Sequence, residues 1–434
     1  MRMNPLAGVL VVAVAMVVAG SAAGQSREAA IKASLTKIEK GTIKASSEGA
    51  RKEADIVTGR RELTALYDQA PQADKSSVAA DVSRLAVPLV NKLEGERALQ
   101  LGLALAAIHD AAVQPALEAM VTHKDAPVRL LGWRGYVWTD PDNQVDSVRE
   151  QLIKQNPDGA AVMWKTLAAR FDTEISSVVF GPMFEMMRLS TMVRRVTGPA
   201  VDTANMALVD KAWASVCQKI VSGDEEMMRS ARSALMTMKY FYDTGDDKQK
   251  ANVTRCFVEM FYCTAMLSDQ LTVTEVDRAE TGRQLLLDLD ALLGSSAKKT
   301  LPEDKSLKTA LAAKQLALDV DALIGGLSRK TDLNASLKSL NTSLRMLSSE
   351  DSVRELAKKV DDLTAGKTTT MDERTVRATL ESVNATLRKR YTLSGVASDW
   401  GAALGVSMDE MKKTYTPRIR VEETPVSATV EARR

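Results

Sequence analysis

The chain has 434 residues and carries 58 basic and 56 acidic side chains, with two histidines and three cysteines. Charges that nearly cancel argue against a general nucleic-acid binder, which concentrates a basic excess, and 45% hydrophobic residues exclude global disorder. Aromatic residues are only 4%, and few segments alternate with a period of two, so the composition predicts an all-α chain.

At the N-terminus Arg2, an apolar stretch over 6–20 and the small residues Ser21, Ala22, Ala23 and Gly24 have the layout of a secretory signal peptide over 1–24. The stretch is short for a helix that must cross about 30 Å of hydrocarbon; an uncleaved anchor is the competing reading. No cysteine near the boundary supports lipoprotein processing, and no later segment is apolar enough to span a membrane. The mature chain is expected to be exported, periplasmic or extracellular, without a transmembrane segment.

Residues 25–77 read as amphipathic helix, with stripes at Ile31, Leu35 and Ile38 and at Leu63, Leu66 and Tyr67, interrupted by Gly41, Gly49 and Gly59. Pro71 to Asp74 reads as a break. Ser34 and Lys37 fit the S-x-x-K spacing of acyl-enzymes, but the companion elements are missing and Leu35 belongs to an apolar stripe.

The segment 78–268 differs in composition: aromatic residues crowd between Trp133 and Tyr262, and all three cysteines lie there. Within it, Gln114 to Met120 is followed by Asp125-Ala126-Pro127-Val128-Arg129 and then Gly132. This resembles a HEAT-type repeat. The resemblance implies that Asp125 supplies a turn and cap, Val128 a buried anchor and Arg129 a polar partner, while Gly132 lets two helices approach closely. It covers about 25 residues clearly, with fainter echoes around Val87 to Gly102 and Gly223 to Ala231, and no second Asp-x-x-Val-Arg follows.

Trp133, Tyr136 and Trp138 follow that turn. If Val128 and Leu131 face the core, a helix turning 100° per residue cannot bury all three rings, so at least one lies at the surface near 139–144 as a candidate protein-binding residue. The alternative is that the helix ends early and all three pack under the loop. The Met-rich run from Phe180 to Met192 reads as core filling. Cys256 and Cys263 are seven residues apart, about 10.5 Å along a helix, too far for a disulfide; Cys217 can pair with either, or all three remain buried thiols. His109 and His123 do not share metal-ligand spacing.

Residues 269–394 hold one helical phrase three times. Leu285, Leu289 and Leu292, then Leu316, Val320 and Leu323, then Leu356, Val360 and Leu363 repeat a four-then-three spacing, each with an aspartate after the middle position (Asp290, Asp321, Asp361). Gly294, Gly325 with Gly326, and Gly366 suit left-handed positions just past a helix end. A second phrase, Leu337 to Arg345, returns as Leu380 to Arg388 and carries two of the four N-x-S/T sequons (Asn252, Asn334, Asn341, Asn384). The Asp-x-Asp pairs point about 200° apart on a helix and serve solvated faces or inter-helix salt bridges rather than one ion. Gly366-Lys367-Thr368 is no P-loop, because Asp361 stands where the first glycine is required. Over 395–434 a last helix is expected from Ser407, with Glu410 completing a capping box, before a tail after Pro417.

The pattern thus predicts an all-α fold: a HEAT-like helical-repeat (α-solenoid) middle segment followed by an antiparallel helical-hairpin array or bundle. Such arrays offer extended surfaces, so the expected function is a non-enzymatic exported scaffold or binding protein whose partner is a protein. No catalytic residue, cofactor or metal ligand is assigned. The rivals are an exported enzyme with its site in the aromatic-rich segment 130–265, and a structural protein that self-associates through the seams of 330–390.

Overall fold

The computed structural model describes residues 25–43, 54–139, 146–155, 160–188, 199–271, 275–327, 333–347, 351–364 and 372–415. Among these residues every regular element is a helix and none is a strand. The signal-peptide expectation over 1–24, the Gly366-Lys367-Thr368 segment and the tail after Tyr415 lie outside them. The chain divides into two compact units, 1–209 and 210–434, and the expected 78–268 segment runs across that division.

In the first unit, α1 (25–40) buries Ile31, Leu35 and Ile38, and α2 (Asp55–Asp68) buries Leu63 and Tyr67. Gly59 is not an interruption. It lies inside α2, where a Cβ would come within 2.7 Å of the Ser34 carbonyl, so the missing side chain lets α2 close on α1. Ser34 and Lys37 both reach Glu62, the hydroxyl at 3.3 Å, which makes them an ordinary helix-pairing contact.

The unit continues through α3 (Lys75–Val90), α4 (Gly95–Ala106), a 3₁₀ turn at Ala111–Val113, α5 (Gln114–Val121) and α6 (Ala126–Val137). It ends with α7 (Val148–Gln155), α8 (Ala160–Thr173) and α9 (Ser177–Glu185). Helices two apart in sequence lie side by side, α2 on α4 on α6 in one row and α3 on α5 in another. Phe180, Met183, Phe184, Met186 and Met187 are all buried, so the described part of the Met-rich run is core.

The helix α10 (Pro199–Val221) crosses the division. The second unit then has α11 (Glu225–Thr244), α12 (Asp247–Gln270) and α13 (Val276–Ala297). It continues with α14 (Leu307–Gly325), α15 (Leu333–Leu347), α16 (Asp351–Thr364), α17 (Glu373–Arg390), α18 (Leu393–Leu404) and α19 (Asp409–Thr414). An Asp246–Gln249 capping box starts α12. From Cys256 to Ala265 this helix is buried without a break, because α11, α13 and α18 pack around it.

The four helices α14 to α17 share one core, with Val320, Leu337, Leu344, Val360, Val376, Leu380 and Val383 all fully buried. The closest partners are α14 with α17 and α15 with α16. Lys314 lies beside Tyr391 and Asp321 beside Asn384, so α14 and α17 run antiparallel. The first copy of the phrase is set apart: α13 packs against α11 and α12, and its Leu292 is only half-buried while Leu293 is fully buried.

Three helix ends differ from expectation. Gly294 sits within the last turns of α13, and the left-handed cap is Lys298 at φ 49°, while Gly326 caps α14 at φ −101°, outside the left-handed region. The final helix begins at Asp409 rather than Ser407, with Met408 at its N-cap position and no side-chain capping bond there.

Candidate functional site

The segment from Asp125 to Gly132 folds around a buried polar network. Val128 is buried and Gly132 faces α5, where a Cβ would meet Val121 Cγ1 at 2.8 Å and Met120 Cβ at 2.9 Å. Arg129 is buried and its guanidinium forks onto Glu174, Nε to Oε2 at 2.8 Å and Nη2 to Oε1 at 2.7 Å. Its remaining arm donates to the carbonyls of His123 and Lys124. The planar fork matches a carboxylate in two parallel bonds, which suits Arg rather than Lys to this place. Glu174 is 45 residues away and carries no motif, so only the fold reveals it.

Asp125 does not cap its own helix. Its carboxylate accepts instead from the backbone N–H of Gly95 at 3.1 Å and so ties the start of α6 to the start of α4. His123 is likewise structural: Nδ1 accepts from the Asp125 amide and Nε2 lies 3.0 Å from the Leu93 carbonyl. An accepting Nδ1 assigns the proton to Nε2.

Of the three candidate rings, Trp133 and Tyr136 are buried, whereas Trp138 is 52% exposed. Tyr136 reaches the Gln114 carbonyl at 3.5 Å, a marginal bond, and burial pushes its hydroxyl pKa well up. Trp138 stands just past the end of α6, its ring edge-on to His109 at 6.4 Å between centroids. The helix therefore buries two rings and presents the third, in contrast to a packing with all three under the loop.

The thiols are poor nucleophiles. All three cysteines are free and buried, and burial pushes the pKa values of Cys217 and Cys256 well above the usual thiol range. Cys256 and Cys263 lie on the unbroken α12, as their spacing required. Nearby, the Tyr415 hydroxyl donates to the buried carboxylate of Glu259 at 2.6 Å, and Trp213 Nε1 donates to the Cys256 carbonyl at 3.1 Å. These bonds satisfy groups on a helix that has little access to water.

The repeated aspartates are inter-helix partners. Asp288 pairs with Arg232 at 2.8 Å, Asp290 accepts from Trp400 Nε1 at 2.8 Å, and Asp321 and Asp361 bind Asn–Arg pairs on α17 and α15. No group of three metal-ligating side chains occurs among the described residues. Two larger cavities lie in the second unit. One of about 540 Å³ is bordered by Asp290, Lys298, Lys299 and Trp400. The other, of about 680 Å³, runs between α13 and α14. No protein-family model, curated protein or solved structure matches this chain.

Proposed function

We propose that the mature chain is an exported, non-enzymatic helical-repeat protein that binds or scaffolds another macromolecule of the envelope or secreted milieu, with a protein as its partner. In this reading the rows of α2 to α6 form a HEAT-like α-solenoid, and α14 to α17 form an antiparallel hairpin bundle. The observation that carries it is Trp138. A large ring left half-exposed beside two buried ones costs apolar hydration unless a partner covers it, and Trp buries much area for little lost side-chain freedom. The seams once open to self-association, Leu337 to Leu344 and Val376 to Leu387, are enclosed in their own shared core. That favours the binding reading over self-association through them.

The test replaces Trp138 with alanine in the full chain and measures both melting temperature and recovery of proteins that co-purify from the native envelope. An unchanged melting temperature with a specific partner lost is the expected result. Retention of every partner overturns the proposal.

A further inference from the structure

The groove between α13 and α14, about 680 Å³, falls within the size range of small-molecule sites. Its floor is apolar, with Leu271, Leu286 and Leu393 buried and Leu287, Leu311 and Leu318 half-exposed along the walls. Its rim is cationic: Arg283, Lys308 and Lys314 stand against one acid, Glu280, which Arg283 already engages at 3.2 Å.

Lys314 is the most buried of the three rim cations. It is half-buried, and its ammonium donates to the backbone carbonyl of Ser268. The acids near it have other partners. Asp269 accepts from the Leu393 and Ser394 amides and the Ser394 hydroxyl at 2.8 to 3.0 Å, while Glu275 pairs with Arg278 at 2.7 Å. Burial pushes the Lys314 pKa down, and the Arg388 charge adds to this against the pull of Asp269 and Glu275. An incoming anion at this point meets a half-buried ammonium whose hydrogen bond goes to a backbone carbonyl rather than to a carboxylate.

We infer that this groove binds a single-chain amphiphile with a carboxylate head, a long-chain fatty acid, its acyl chain along Leu286, Leu287, Leu311 and Leu318 and its carboxylate at Lys314 and Lys308. A cationic amphiphile meets the same rim with the wrong sign. A second copy offering the same face sets like charges against each other, because a two-fold contact is self-complementary.

The experiment titrates the full chain with palmitate, below the concentration at which it forms micelles, by calorimetry. One saturable site is expected, weakening about fourfold for each methylene removed across a series down to dodecanoate. Hexadecyltrimethylammonium should show no saturable binding. Lys314→Met should weaken palmitate at least tenfold, Lys308→Ala several-fold, and Lys389→Ala, which lies outside the groove, not at all. Lys308 is exposed, so its substitution keeps the test valid if Lys314→Met fails to fold. Absence of a saturable site, equal binding of the cation, or affinity unchanged in Lys308→Ala and Lys314→Met overturns the inference. So does an acidic amphipathic peptide that displaces palmitate and binds more tightly than it.

Discussion

Asn384 donates its side-chain amide to Asp321, 63 residues earlier, and Asn341 donates its own to Asp361, 20 residues later. In each case an arginine one turn on, Arg388 or Arg345, bonds both the asparagine, at 3.0 or 3.1 Å, and the same aspartate. The aspartate of each copy's first helix is thus held by the second helix of the other copy. The two hairpins are joined crosswise, through polar groups at the edge of an apolar core.

Asp321→Ala and Asp361→Ala should therefore each destabilise the second unit, by about 1–3 kcal/mol, because each leaves a buried asparagine amide without its acceptor. Arg388→Ala should cost less, about 0–1 kcal/mol, since its side chain is 48% exposed and its ion pair is screened. Urea unfolding of the three variants measures this order. A larger loss for Arg388→Ala than for Asp321→Ala would show that the exposed ion pair, not the buried amide, holds the crossing.

Val320 and Val360 occupy matched central positions on α14 and α16 and are fully buried in the shared core. Val320→Asp or Val360→Asp places an unpaired carboxylate among leucines and valines, at a cost of several kcal/mol. Either change should remove the cooperative unfolding of this unit, followed by circular dichroism. A melting transition at the wild-type temperature would mean that these valines do not anchor the core.

The stripes, the enclosure of the valines and the equivalence of Asn341 with Asn384 were legible in the sequence because helical periodicity fixes which residues share a face. The partner of that face was not legible. Spacing alone gives no reason for Asp321 to meet Asn384 across the crossing rather than Asn341 in its own hairpin. Periodicity also implied that at least one of Trp133, Tyr136 and Trp138 stays at the surface, since the core faces of Val128 and Leu131 leave no room for every ring, but which one was not legible. Gly59 and Gly294 misled for one reason: a glycine that admits a neighbour, or merely sits near a helix end, looks in sequence like one that stops a helix. Glu174, the partner of Arg129, carried no local signal at all.

The Arg129–Glu174 pair is nearly enclosed, with side-chain exposures of 10% and 1%. Removing the carboxylate leaves a guanidinium buried with only backbone carbonyls for company, so Glu174→Ala should cost about 3–5 kcal/mol in the first unit. The double replacement Arg129→Met with Glu174→Leu should recover much of that loss, because it removes the stranded charge along with its partner. Chemical denaturation of the single and double variants decides between a needed ion pair and a needed shape. If the double variant is no more stable than Glu174→Ala, charge burial is not the source of the cost.

Asp290 offers a prediction in pH. Burial raises its pKa above the ordinary carboxylate value, and the bond from Trp400 Nε1 pulls it back only in part. A carboxyl whose folded pKa lies above its unfolded value favours folding when protonated. That contribution is full below the unfolded pKa, about 3.9, and is lost as pH rises through the folded pKa. Asp290→Asn keeps an oxygen to accept from Trp400 and removes the charge. Its stability relative to the wild type should therefore increase between about pH 4 and neutrality and stay level above that. Asp290→Leu should behave differently, losing about 1–3 kcal/mol across the range because the indole N–H of the buried Trp400 then has no acceptor. Urea unfolding of both variants and the wild type at several pH values between 3 and 7 supplies the curves. An advantage for Asp290→Asn that instead grows on acidification would reverse the sign of the shift, and would make the Trp400 bond rather than burial the dominant influence on this carboxylate.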